Sequence, residues 1–154
     1  MSLKNSNSSQ IMRAIILDHY EHPKNFVKNA KINKLKNYCS FNTSSPSCID
    51  NLTAYLFIKD NKINDIKFSG VGCAISTSST DIMSIMLINK TLKQALNFIN
   101  NYLNMIDGKE YDSTKLNDLL VYKNVNKQIN RINCAKVGII AIKKAIEKYE
   151  KKDK

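Results

Sequence analysis

Three of the four cysteines and one neighbouring carboxylate are the residues that could carry chemistry in this 154-residue chain. Cys73 follows the turn Gly70-Val71-Gly72 and is expected to open a helix. Cys134 falls where the pattern predicts another helix start. A thiol at a helix N-terminus meets unpaired backbone N–H groups and the positive end of the dipole, which favours the thiolate that metals and sulfur transfer both require. Cys48 follows the Ser/Thr/Pro-bearing loop Thr43–Ser47, and Asp50 lies two residues beyond it. If a strand starts there, the two side chains point to the same side. Cys48, Asp50, Cys73 and Cys134 together form a tetrahedral zinc donor set. Spacing alone leaves that open, since there is no Cys-x-x-Cys pair and reduced cysteines are commonly small buried hydrophobes. His19 and His22 flank the end of the first helix, where histidine suits the dipole, so the pattern does not make them ligands. Arg131, three residues before Cys134, is placed to stabilise a thiolate or pair with Asp50; a solvated arginine is the competing reading.

The elements that must position these residues are legible from periodicity. Ile11, Met12, Ile15, Ile16 and Tyr20 fall at helical spacing and stop before Pro23. The segment from Lys24 to Asn33 is polar and reads as loop, and Leu35 to Asn42 reads as a weak strand. Leu52, Ala54, Leu56 and Ile58 alternate with Thr53, Tyr55 and Phe57, which predicts a two-faced strand. Asp60-Asn61 is a turn signal, and Ile63 to Phe68 returns as the second arm of a hairpin. After Gly72 the period becomes helical. Ile75, Ile82, Met83 and Met86 mark one helix to about residue 88, and Ser76, Ser78, Ser79 and Thr80 give it a small polar side. Leu92 to Ile106 predicts another helix, stopped by Asp107-Gly108. Leu116 to Val121 suggests a short helix. Ala135, Ile139, Ile142, Ile146 and Tyr149 predict a last one. The expected fold class is α+β: a small antiparallel three-stranded sheet with helices packed on one face, an N-terminal helix and a helical C-terminal half. The expected organisation is one domain over 1–154, with a flexible leader over 1–9 and a polar tail over 150–154.

Composition narrows the function classes. With 43% hydrophobic residues, the chain has enough apolar material for a core that needs no disulfides. No run approaches about 18 apolar residues, and the Ser/Asn-rich start lacks a signal peptide's apolar stretch, so a cytoplasmic location with reduced thiols is expected. The net charge of +11 invites a nucleic-acid reading. Lys, Asn and Ile are instead frequent throughout, the basic tail is broken by Glu147, Glu150 and Asp153, and no recognition module is present, so neither nucleic acid nor membrane is expected as a partner.

Four motifs in order resemble one family. Asp18-His19-Tyr20-Glu21-His22-Pro23-Lys24-Asn25 resembles the D-H-Y-x-x-P-x-N opening of the IscU/NifU N-terminal family. Pro46-Ser47-Cys48-Ile49-Asp50 resembles its P-x-C-G-D motif, and Phe68 to Ser76 resembles its F-x-G-x-G-C-A/S-I-S motif. Arg131-Ile132-Asn133-Cys134-Ala135 resembles the R-I-x-C-A motif of the SufU branch. The similarity runs from about Ile11 to Tyr149. Asn133 stands where IscU proteins carry His, and the spacer containing Asp107 to Asp112 is long, both of which resemble SufU.

The resemblance implies an iron–sulfur cluster assembly protein that binds zinc through Cys48, Asp50, Cys73 and Cys134, with Arg131 in support. It implies persulfide sulfur accepted from a cysteine desulfurase of the SufS type and passed to downstream assembly or acceptor proteins. The loop composition before residue 48 favours Cys48 as the acceptor, because a loop can move while helix-start residues are held by packing; a monomer is favoured, with the oligomeric state left open by the sequence. Two alternatives stay open: a scaffold that builds and transfers a [2Fe–2S] cluster on the same ligands, and a zinc-stabilised binding domain without sulfur chemistry. Whether the chain is a sulfurtransferase-like accessory protein or a non-enzymatic scaffold is likewise left open. Cys39 has no counterpart in the motifs and is expected to be a half-buried strand thiol. The family's Gly between the first Cys and the Asp is Ile49 here. A β-branched residue resists the left-handed conformations open to glycine, so either the loop differs or the strand begins earlier.

Overall fold

The hairpin that anchors the sheet follows directly from its sequence. Asp60 (φ 55°) and Asn61 (φ 61°) both adopt the left-handed region that a two-residue type I′ turn requires. In this computed structural model, which describes residues 8–45 and 49–152, that turn joins β2 (Asn51–Lys59) to β3 (Lys62–Val71). β1 (Cys39–Ser44) pairs antiparallel with β2, giving the order β1-β2-β3. Leu52, Ala54, Leu56 and Ile58 are buried, and the intervening Thr53, Tyr55 and Phe57 are half-buried or exposed, as alternation predicts.

α1 (Ser8–Glu21) and the loop after it lead to the free edge of β3, where Val27 N–H donates to Phe68 O (2.8 Å) and Phe68 N–H to Asn25 O (3.0 Å). The segment read as loop therefore contains a parallel bridge at Phe26, and a 3-10 helix follows over Asn29–Leu35. The weak strand starts later than its apolar residues suggest, at Cys39, because Leu35 belongs to that 3-10 turn. Three more helices follow: α2 (Ala74–Leu87), α3 (Leu92–Ile106) and α4 (Ile129–Lys152). α3 is fixed at its start by a capping box between Thr91 and Gln94, and the chain leaves it through Gly108 at φ +75°. The expected short helix is a 3-10 segment over Asn117–Tyr122.

The structure sets three boundaries that the pattern left open or placed elsewhere. The leader read as flexible through residue 9 is helical from Ser8, because Ile11, Met12 and Ile16 pack against the core and carry the preceding residues with them. The polar tail is helical through Lys152, where opposite charges such as Lys144 and Glu147 lie one turn apart. α4 begins at Ile129, so Cys134 sits in its second turn rather than at its start.

The core lies between the sheet and the helices. The α4 residues Ala135, Ile139, Ile142 and Ile146 are fully buried in it, against β1, β2 and α2. α2 is buried almost all round, including its small polar side: Ser76, Ser78, Ser79, Thr80 and Ser84 are inaccessible. Their hydroxyls bond back to the preceding turn, as in Thr80 Oγ1 to Ser76 O (2.7 Å) and Ser84 Oγ to Thr80 O (2.7 Å). That self-satisfaction is what lets a polar stripe be buried. No described helix is long and apolar enough to cross a membrane.

Candidate metal centre

Two glycines bring the ends of β2 and β3 together. Gly70 has φ +118°, and a Cβ there would lie 2.1 Å from Asn51 O. A Cβ on Gly72 would meet Ser76 Oγ at 2.6 Å and Thr77 Oγ1 at 2.8 Å. Only glycine permits both approaches, and they set the start of α2 beside the start of β2.

Asp50 precedes β2 and is 1% exposed. A carboxylate buried that far needs partners. Its Oδ1 accepts from Cys73 N–H at 2.8 Å, and its Oδ2 lies 3.7 Å from Cys73 Sγ. Cys73 is the N-cap of α2, and its Sγ accepts from Ser76 N–H at 3.5 Å, the role a capping oxygen usually takes. A metal-bound sulfur there faces the positive end of the helix. Cys134 is 7% exposed and donates to Asn130 O at 3.8 Å. One ligand atom each from Asp50, Cys73 and Cys134 all lie within 4.8 Å of one another.

The fold thus brings together three of the four residues named from sequence. Cys48 lies outside the described residues. Ile49 is 78% exposed and points into solvent while Asp50 turns inward, and the strand begins at Asn51, not earlier. The Gly-to-Ile departure therefore does not take the carboxylate away from Cys73. Cys39 is half-buried in β1 and donates to Ala145 O at 3.3 Å, away from this cluster. Arg131 is exposed and lines a cleft of about 460 Å³ with Arg13 and Lys123; among the described residues no ion pair joins it to Asp50. His22 is exposed.

His19 is neither solvated nor in the cluster. Its Nδ1 lies 2.6 Å from Asp81 Oδ2, and Asn25 N–H donates to Asp81 Oδ1 at 2.9 Å. This gives the His and Asn of the opening motif a physical role: they hold a fully buried carboxylate in α2 and so dock α1 on the helix that carries Cys73. Sequence reasoning missed Asp81. The signal was there, because it is the sole charged residue between Lys67 and Lys90. It also missed Tyr102 and Tyr122, both fully buried with rings in an edge-to-face pair. Burial pushes both phenols well up. The negative charges of Asp81 and Cys73 add to the effect at Tyr122.

Comparison with known proteins matches residues 11–154 to the family described as NifU-like N terminal domain. The zinc-dependent sulfurtransferase SufU of Bacillus subtilis (strain 168) is 31% identical over 147 residues, covering 95% of this chain and 96% of that protein. The iron–sulfur cluster assembly scaffold protein IscU of Streptococcus pyogenes serotype M1 is 28% identical over 144 residues, covering 93% of this chain and 87% of its own length. A crystal structure of a candidate iron–sulfur cluster assembly scaffold protein for the SUF system, from Fervidobacterium islandicum AW-1, superposes with TM-score 0.77 at 29% identity, covering 92% of this chain and 99% of that one.

Proposed function

We propose, from the premise that this chain belongs to the family of NifU-like N-terminal domains, that it is an iron–sulfur cluster assembly protein of the SufU type which binds zinc and accepts persulfide sulfur from a cysteine desulfurase. The observation that carries this reading is the convergence of Asp50, Cys73 and Cys134 to within 4.8 Å. The donor set fits the metal. Tetrahedral zinc with bonds of about 2.0–2.3 Å separates its ligand atoms by roughly 3.5–3.8 Å. The 3.7 Å between Cys73 Sγ and Asp50 Oδ2 lies in that range. Cys48, as the fourth ligand, would close the tetrahedron. Zinc bound here keeps thiols deprotonated at neutral pH.

The chain's own residues then divide the work. Asp50, held by the Cys73 N–H, and Cys73, held by the cap of α2, are fixed by packing. Cys48, which the sequence places between β1 and β2, is the thiolate assigned to sulfur exchange. It attacks the terminal sulfur of the desulfurase persulfide. A new S–S bond forms on Cys48, the old one breaks, and the desulfurase cysteine leaves as a thiolate; no net oxidation or reduction occurs. Arg131, exposed and three residues before Cys134, is the residue assigned to support the incoming partner. The partner is expected to be of the SufS type.

The test is to mix protein, desulfurase and cysteine, trap the product with an alkylating reagent and map it by mass spectrometry. Sulfane sulfur on Cys48 supports the assignment. Sulfur on Cys134 instead overturns the choice of Cys48, and none on any cysteine overturns the relay. The IscU relatives favour a second reading, a scaffold for a [2Fe–2S] cluster on the same ligands. Anaerobic addition of iron and sulfide separates the two: a stoichiometric, transferable cluster favours the scaffold, and zinc that iron does not displace favours the relay.

A further inference from the structure

We propose that Tyr102 and Tyr122 are positioning residues, a buried clamp that fixes the spacing of Cys73 and Cys134 and so tunes the metal centre; the inference rests on the metal reading above. Two hydrogen-bonded arms meet at the tyrosine rings. Tyr102, on α3, donates from its hydroxyl to Ala135 O at 2.8 Å, and Ala135 is the residue after Cys134. Tyr122, from the 3-10 segment, is bonded at 2.5 Å to Ser78 Oγ. Ser78 in turn donates to Ala74 O at 2.6 Å, and Ala74 is the residue after Cys73. Since the Ser78 hydrogen is committed to Ala74, Tyr122 is the donor in its bond to Ser78. The two rings meet edge to face, with centroids 6.3 Å apart and planes at 82°.

A continuous path of packed groups therefore joins the backbone beside one ligand to the backbone beside the other. Ala74 O and Ala135 O lie inside helices, where a carbonyl already accepts from the N–H four residues on. The bonds that reach the helices from outside, Tyr122 to Ser78 of α2 and Tyr102 to Ala135 O of α4, add nothing to helix formation as such; they tie the two helices to a common post. Both rings are fully buried. Phenylalanine would fill the same volume, so the hydroxyls separate a positioning role from plain packing. Groups that orient ligands without touching the metal commonly alter affinity by about 10–100-fold when removed.

The test uses the full chain loaded with Co²⁺ as a spectroscopic probe of tetrahedral thiolate coordination, with Zn²⁺ affinity read by chelator competition. Tyr102→Phe and Tyr122→Phe are expected to weaken metal binding about tenfold each. They should also shift or weaken the cobalt d–d bands while the circular dichroism spectrum stays native. Because the two arms share one path, the double variant should lose less than the product of the single losses. Ser78→Ala cuts the Tyr122 arm with little volume change, and carries the test if a tyrosine variant fails to fold. A purely structural role predicts lower thermal stability of the metal-free protein but a wild-type cobalt spectrum and affinity within twofold; that result overturns the clamp. Wild-type protein that binds neither cobalt nor zinc overturns the metal reading itself, and the clamp with it.

Discussion

Gly138→Ala tests how closely α2 and α4 must approach for the ligands to meet. A Cβ on Gly138 would lie 1.7 Å from Thr80 Oγ1, 2.8 Å from its Cβ and 2.9 Å from its Cγ2. Non-bonded heavy atoms rest at about 3.5 Å, so the worst contact demands roughly 1.8 Å of separation. Thr80 cannot turn away cheaply, because its hydroxyl is bonded to Ser76 O at 2.7 Å. Overpacking of this kind costs about 1–3 kcal/mol, and the upper end applies where two helix backbones must part. Against it stands the gain of about 1 kcal/mol for replacing glycine by alanine inside a helix. A net loss of about 2 kcal/mol corresponds to a fall of roughly 4–8 °C in Tm for a chain of this size. The displacement also reaches the site, because Cys134 lies one helical turn before Gly138 on the same face. Scanning calorimetry and the Co²⁺ spectrum read both effects. In a Thr80→Ala background the two contacts at 1.7 and 2.9 Å vanish, so the added alanine should cost at most half as much. An unchanged or raised Tm with a wild-type cobalt spectrum in Gly138→Ala would refute the reasoning.

Asp50→Ala should lower bound zinc, read by elemental analysis, and should cost about 1–3 kcal/mol in metal-free protein because Cys73 N–H loses its acceptor; full zinc content would remove Asp50 from the ligand set. His19→Ala breaks the buried contact with Asp81 and is expected to cost about 3–5 kcal/mol in urea unfolding, although no ligand has changed. A loss under about 0.5 kcal/mol would show that the pair does not hold α1 on α2. Alkaline titration should reveal Tyr102 and Tyr122, whose phenols are held protonated well above the ordinary value. Stability from a raised pKa is fully present below the unfolded value near 10 and is lost as pH rises beyond it. Of the seven tyrosines, these two should therefore ionise only together with cooperative loss of the circular dichroism signal. Tyr38, pushed up to about 12 by burial and then by its bond to Asp65, should ionise late while the fold persists. Smooth ionisation of all seven in folded protein would count against the buried pair.

Much of the framework was legible because its signals are local. The alternation in β2, the Asp60-Asn61 turn and the apolar stripes of α3 and α4 each follow from periods of two or 3.6. Boundaries were less legible where packing, not propensity, decides. Ser8 and Lys152 are helical although the residues around them read as polar leader and tail. The early start of α4 was hidden because Ile129, Asn130, Arg131 and Asn133 are exposed, leaving only Ile132 to extend the apolar stripe of Ala135 and Ile139.

The sequence by itself determined which atoms can do chemistry here: cysteine thiols, one carboxylate placed two residues after a cysteine, and four motifs in the order of the NifU-like N-terminal family. It also placed Cys73 directly after Gly70-Val71-Gly72, although Gly70 and Val71 are the paired end of β3 rather than a turn. Only the tertiary structure decided that Asp50 reaches across to the Cys73 N–H, that Cys134 approaches from the second turn of α4, and that His19 serves Asp81 rather than a metal. Each of these depends on surfaces from distant segments fitting together. The contact of Gly138 with Thr80 and the path through Tyr102 and Tyr122 are properties of two helices and the space between them, which no spacing along one chain encodes.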